Sequence, residues 1–351
     1  MKFVSFLVLQ LSLHVAILTL SCSAQNSLIV PGEKHFKSLR QLTAGGENAE
    51  AYFSFDGKKL VFQSQRGIYH CDQIFTMNID GSDVKLISTG KGRTTCSYYL
   101  PDGTHILYAS THLGGDECPP VPDRRKGYVW SLYPAYDIFV ADTAGTITSR
   151  LTETPGYDAE AVVSPVGDKI AFTSIRNGDL DIYTMNLDGS DVRQLTHELG
   201  YDGGPFFSPD GKQIVYRAYH PETPKDTADY KELLAQQKIR PISLQIWIMN
   251  ADGTNKRQLT HNRSANFGPF IHPDNKHIIF ASNMADTSAV PMNFDLYMMN
   301  MDGTGMERIT YSSAFDGFPM FSPDGKYLVF ASSRNGTTPY ETNIFIAEWA
   351  E

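Results

Sequence analysis

Six times along the chain a turn of the type Ser-Pro-Asp-Gly-Lys separates two short apolar runs. The copies centre on Asp56-Gly57, Asp102-Gly103, Val166-Gly167, Asp210-Gly211, Asp274-Asn275 and Asp324-Gly325. Asp-Gly between alternating runs signals a hairpin, because glycine accepts the positive φ that a tight turn demands. The copies recur at roughly forty to fifty residues with four strand-like runs in each, the spacing of a propeller built blade by blade. In the copy from Ala159 to Thr196, Ala161 and Val163 lead into Ser164-Pro-Val-Gly-Asp168. Lys169–Ser174, Asp181–Asn186 and Val192–Thr196 then follow as further strands.

Four antiparallel strands per copy, with few helix-length segments between copies, predict an all-β fold: a six-bladed propeller. The last copy stops after Asn343–Trp349 without a fourth strand. Phe36-Lys-Ser-Leu-Arg-Gln-Leu-Thr43 carries the missing strand's Gln-Leu-Thr ending. The N-terminal strand is therefore expected to complete the last blade and close the ring.

The first residues read as a secretory signal: Lys2, an apolar run from Phe3 to Leu20, then Cys22-Ser-Ala24 with small residues suited to cleavage before Gln25. Two alternatives stay open, a lipoprotein signal ending before Cys22 and an uncleaved anchor. Residues 25–351 are expected to form one propeller, periplasmic or extracellular, and monomeric. Removal of residues 1–24 takes the net charge from −9 to −10. That acidity argues against nucleic acid or an anionic membrane surface as partner, leaving a lipid anchor as the membrane link. Cys71, Cys96 and Cys118 remain, which predicts one disulfide of undetermined pairing and one spare thiol.

The pattern Phe-Ser-Pro-Asp-Gly-Lys, Phe-x-Ser-x-Arg-x-Gly, Ile-Tyr-x-Met-Asn-x-Asp-Gly and Leu-Thr resembles the TolB-like family of WD-related propeller repeats, over nearly all of residues 36–349. That family includes the propeller of periplasmic TolB and is similar to the gating propellers of prolyl oligopeptidases. The resemblance implies a recognition scaffold. The chain leaves no room for TolB's additional α/β domain and has no hydrolase domain after the propeller, so a stand-alone propeller is expected.

Alignment on the turns places candidate site residues at one channel mouth. Eight residues before each turn stand Asn48, Thr94, Asp158, Asp202, Asn266 and Asp316; six before it stand Glu50, Cys96, Glu160, Gly204, Gly268 and Phe318. The first set has a structural reading as backbone acceptors. With Glu50, the carboxylates Asp158, Glu160, Asp202 and Asp316 also suit an acidic funnel for a cationic group, calcium or another divalent cation. The loop between strands two and three presents Arg66, His112, Arg176, His220, Met284 and Arg334. An Arg176–Asp181 staple, and its counterpart from Arg334 to Asn343, is the structural expectation, whereas Asp137 and Asp295 lack an arginine in their own hairpin.

Blades two and four break the pattern with insertions of about 113–134 and 221–241, the second holding a short helix capped by Asp226 or Thr227, with Tyr230, Leu233 and Leu234 on its apolar face. Long insertions rich in apolar residues are expected to fold over the mouth as a lid. His70, His112, His197, His220 and His261 fall on the same face, so a metal site from His112, His220, Asp158 and Asp202 is a candidate. His197-Glu198-Leu-Gly-Tyr201 is not a zinc helix, since Tyr201 stands where a second histidine is needed. No nucleophile elbow, phosphate loop or dinucleotide fingerprint occurs. The favoured expectation is a binding scaffold for a protein, peptide or glycan; the alternative is a metal-assisted lyase or hydrolase acting on polysaccharide or peptide.

Overall fold

The computed structural model describes residues 28–350 except 124, 126 and 289–291. The expected signal segment and Cys22 lie outside the described residues. Six four-stranded antiparallel sheets form the six blades. Their first strands, Glu47–Phe53, Thr94–Tyr99, Asp158–Val163, Tyr201–Phe207, Asn266–Ile271 and Asp316–Phe321, line the channel, each packed against both neighbours in a closed ring.

The repeat's alternation explains the core. The fourth residue of each second strand is a buried ring: Phe62, Tyr108, Phe172, Tyr216, Phe280 and Phe330. Each stands directly opposite an aromatic residue of the third strand: Phe75, Phe139, Tyr183, Trp247, Tyr297 and Phe345. Side chains of alternate residues share a sheet face, so this one register position stacks a pair of rings between every two blades.

The turn motif is equally physical. Ser54, Ser208 and Ser322 donate to Asp56, Asp210 and Asp324 at 2.6–2.7 Å. Gly57, Gly211 and Gly325 take positive φ of 69–72°. In blade three Val166 replaces the aspartate, and Ser164 Oγ is buried without a hydrogen-bond partner among the described residues.

The Leu-Thr ending also has a cause. The hydroxyl after each fourth strand (Thr43, Ser88, Thr152, Thr196, Thr260, Thr310) accepts the amide of the second residue of the third strand at 2.8–2.9 Å. Thr43 does this to Ile344, and Phe36–Gln41 pairs antiparallel with Asn343–Trp349. The N-terminal strand thus completes blade six as the repeat implied. Glu33 adds a bidentate ion pair to Arg334 at 2.9 and 3.1 Å.

Both insertions contain regular structure among the described residues. His112–Gly114 makes a short 3-10 turn, and Trp130–Ser131 pairs with Lys238–Ile239 of the blade-four insertion. The helix runs Pro224–Ala235, and Thr223, not Asp226 or Thr227, is its N-cap, its Oγ1 accepting from Asp226 N. Proline at the first helical position explains the shift: Pro224 has no amide to be capped and its fixed φ starts the helix there. Tyr230 is buried, and Leu234 packs beside it against the second cluster of apolar side chains. No helix among the described residues is long and apolar enough to cross a membrane.

Candidate functional site: a lidded chamber at the channel mouth

Each first strand carries a register break just after its second or third residue. The bulged residue is left-handed in all six blades: Glu50, Cys96, Glu160, Gly204, Gly268 and Phe318 have φ of 46–58°. A bulge re-aims its side chain. These residues are the set six places before each turn, and Glu50, Cys96, Glu160 and Phe318 line one chamber of about 540 Å³ at the mouth.

The two insertions roof this chamber, with Val129, Trp130 and Ile239 among its lining. The roof is fastened on several sides. Cys71–Cys118 joins the blade-two insertion to blade one, leaving Cys96 as the free thiol. Lys91 pairs with Asp116 at 2.8 Å. Tyr230 of the helix donates to Asp179 of blade three at 2.5 Å, and Leu132 N donates to Gln237 O at 2.8 Å. The expected lid is therefore formed by contact between the insertions.

Glu160 and Arg217 organise the chamber's blade-three and blade-four wall. Arg217 Nη2 donates to Glu160 Oε1 at 2.5 Å and Arg217 Nε to Tyr201 Oη at 3.0 Å. Glu160 also accepts Tyr201 Oη, Thr173 Oγ1 and Gly204 N at 2.7–3.0 Å. A Cβ at Gly204 would stand 2.8 Å from the Arg217 guanidinium, so glycine leaves the space Arg217 fills. Burial works against the Arg217 charge, but Tyr201 and Glu160 outweigh it and hold the guanidinium protonated. Trp130 from the roof lies 5.3 Å from the Arg217 Cζ, a cation–π contact joining lid to wall.

On the opposite wall, burial pushes the Glu50 carboxyl up to about 7, with the Cys96 thiol and the Arg217 charge acting against that rise. The same burial, with Glu50 and Glu160 nearby, pushes the Cys96 thiol up, so it is held protonated. Asp72 is raised by burial and paired with Arg93 at 3.1 Å.

Of the ten residues expected at the mouth, Glu50 and Glu160 line the chamber. The other eight are placed within their blades. Asp158 pairs with Arg176 at 3.0 Å, Asp202 with His220 at 3.0 Å and Asp316 with Arg334 at 2.7 Å. The three aspartates are at most 1% exposed, so they form no open funnel. The expected staples are corrected by the same contacts: Arg176 reaches Asp158 rather than Asp181, and Arg334 reaches Asp316 and Glu33 rather than Asn343. Asp181 is instead met by Thr196 and Gln194. Asp137 and Asp295 find their arginines on the fourth strand, Arg150 at 2.7 Å and Arg308 at 2.8 Å. Arg66 lies over the Phe75 ring at 5.8 Å. His112 contacts Ser110 Oγ at 2.9 Å and sits on Phe139.

His220 and Asp202 pair with each other while His112 and Asp158 are engaged by Ser110 and Arg176, so the four do not come together as one set of metal ligands. Among the described residues the group with ligand atoms within 4.8 Å of one another is His272, Asp274 and His277, on the face of the Asp-Gly turns. Of the five histidines expected on the mouth face, His70 lines the chamber.

Arg217, Tyr201 and Trp130 escaped sequence reasoning. For Arg217 a signal existed. The fifth residue of the second strand reads Gln63, Ala109, Thr173, Arg217, Ala281 and Ala331, and the one long cation faces the glycine at Gly204. Gln63 and Thr173 at that position bond to the bulges at Cys96 and Glu160.

Residues 128–231, from the roof strand through blade three into the blade-four helix, match the TolB beta propeller domain model. The fold is a six-bladed β-propeller, and the matched segment is TolB-like. The "Protein TolB homolog" of Chlorobium luteolum is 24% identical to this propeller over 152 residues, 37% of this chain and 34% of the relative. The matched stretch thus spans about a third of that curated relative. In three dimensions this TolB-like propeller is similar to the protein assigned as TolB in Agrobacterium tumefaciens, with a TM-score of 0.57 at 20% identity over 87% of this chain and 91% of that one. It is also similar to oligogalacturonate lyase from Vibrio parahaemolyticus, with a TM-score of 0.54 at 14% identity over 91% and 95% of the two chains. At those identities the likeness is one of fold.

Proposed function

We propose that this TolB-like propeller is a monomeric binding module of the periplasm or extracellular space, whose lidded chamber holds a protein segment, peptide or glycan. The observation that carries the reading is the chamber itself, about 540 Å³ enclosed by insertions from two blades that hydrogen-bond to each other. Recognition pockets are of this size, with apolar and aromatic walls and a few placed polar groups. Here Trp130, Tyr136 and Tyr157 supply the walls, and Gln63, Gln65 and Glu50 the polar groups. The disulfide and the N-terminal apolar run support an oxidising compartment.

The metal-assisted lyase or hydrolase reading gains no support from His112 and His220, which serve separate blades. The test is a screen of the purified chain against glycan and peptide arrays. Binding that Trp130→Ala abolishes, with the melting transition retained, supports the chamber as the site. Binding that survives Trp130→Ala unchanged, or turnover of an array member, overturns the reading. Cell fractionation and the intact mass of the N-terminal peptide test the compartment and lipidation at Cys22.

A further inference from the structure

The Glu50 carboxyl is set apart from Glu160 and Asp72, two other acids that line the chamber. Glu160 is saturated by Arg217, Tyr201, Thr173 and the Gly204 amide. Asp72 is paired with Arg93. Glu50 makes no ion pair among the described residues, and its hydrogen-bonding neighbour is the neutral Cys96 thiol. The charges facing it from other elements are Arg217, Glu160 and Asp72; Arg217 is already engaged by Glu160 and Tyr201.

Glu50 is also an expensive choice for its place. Its φ is 51°, the left-handed conformation of all six bulges, which glycine fills without strain at Gly204 and Gly268 and which Cys96, Glu160 and Phe318 also adopt. A strained residue bearing a desolvated carboxylate in a cavity points to function rather than packing. The chamber shows how it treats a cation: the Arg217 guanidinium lies among Trp130, Tyr201 and Phe267 at 5.3–5.8 Å.

We propose that the chamber binds its ligand through a primary ammonium group, held by Glu50 and the aromatic walls and carried by a lysine side chain or N-terminus of a peptide, or by an amino sugar. This rests on the reading of the chamber as a binding site. An ammonium supplies the counter-charge that the half-buried carboxylate lacks, whereas a hydroxyl supplies only a hydrogen bond. Binding expels the Glu50 proton, so affinity rises with pH through the range near 7 where Glu50 ionises.

The experiment is calorimetry of the full chain with paired probes: glucosamine against glucose, and Gly-Lys-Gly against the same peptide acetylated at both amines. The expected result is at least tenfold tighter binding of the amine-bearing probe in one or both pairs. Affinity should increase from pH 6 to pH 7, below the range where an α-amino group sheds its own proton, and both effects should vanish in Glu50→Gln. Glu50→Gly, which relieves the left-handed strain, is the second variant and keeps the test alive if glutamine misfolds; it too must lose the preference. The sugar and peptide arms separate the two sources of the amine. Equal affinity within both pairs, no binding of any probe, a preference that survives both variants, or calcium displacing the amine probe from Glu50 overturns the proposal. Trp130-dependent binding of amine-free probes would sink the ammonium while leaving the binding-module reading intact.

Discussion

Trp130 and Ile239 are register partners across a two-stranded antiparallel sheet, one strand from each insertion. Neither strand has another partner, so the roof exists only because blades two and four bring the insertions together. Trp130 then lies over Arg217, whose carboxylate partner, Glu160, belongs to blade three. Lid and wall are therefore one contiguous set of contacts spread over three blades, and each piece can be tested separately.

The Cys71–Cys118 bond spans 47 residues and ties the roof to blade one. Loop-closure entropy for that length gives an upper value of about 4 kcal/mol, and native disulfides deliver about 2–4. The double variant Cys71→Ser/Cys118→Ser is expected to lower unfolding free energy by that amount and to open residues 113–134 to protease. An unchanged denaturation midpoint with an uncut insertion contradicts this role.

Glycine at two bulges serves different ends. Alanine at Gly204 places Cβ 2.8 Å from the Arg217 guanidinium, whereas at Gly268 it meets Phe318 at 3.4 Å. Both changes carry about 1–2 kcal/mol for a left-handed residue with a side chain. Gly204→Ala must also displace Arg217 from Glu160, and disturbing a buried ion pair costs about 3–5 kcal/mol when it is broken outright. Denaturant titration should therefore rank Gly204→Ala well below Gly268→Ala in stability; equal losses would mean that Arg217 moves aside freely.

Burial pushes the Asp181 carboxyl up to about 7, against the hydrogen bonds from Thr196 and Gln194, with Asp202 and Asp179 adding to the rise. The folded chain then holds a proton at this site between about pH 4 and pH 7 that the unfolded chain has released. Stability from this group is greatest at the acid end and falls as pH rises to about 7, beyond which it is flat. Asp181→Asn does not titrate, so its stability relative to the parent should improve steadily from pH 4 to 7. Parallel stability curves for the two proteins would refute the assignment.

Thr223 caps the roof helix by accepting Asp226 N. Thr223→Ala should cost about 1 kcal/mol, felt locally. Hydrogen exchange in Pro224–Ala235 is the measurement: amides near the helix start should exchange about fivefold faster or more while the blades keep their protection. Substitution of Thr227, the alternative suggested by sequence, should leave exchange near the parent level.

Much of the scaffold was legible before any coordinates. Asp-Gly turns require positive φ, alternating apolar residues require a sheet with two faces, and the Gln-Leu-Thr of residues 41–43 had one vacant place to go. These are local or strictly periodic constraints. The candidate site was legible in part: Glu50 and Glu160 were singled out by their distance from the turns, and both line the chamber. Asp158, Asp202 and Asp316 shared the same logic but turn into their blades, because a residue two places earlier precedes the bulge and keeps the regular pleat.

By itself, then, the sequence determined the number of blades, their strands, the turn face and the closure of the ring, since each follows from the repeat and the stereochemistry of a few residues. The tertiary structure alone decided which thiols pair, that Trp130 meets Ile239, that Arg217 crosses to Glu160, and that Glu50 is left without a counter-charge. Those outcomes depend on contacts between different blades, where distance in space is unrelated to distance along the chain. They depend also on burial, which sets the charge state of a carboxyl only once the surrounding walls are in place.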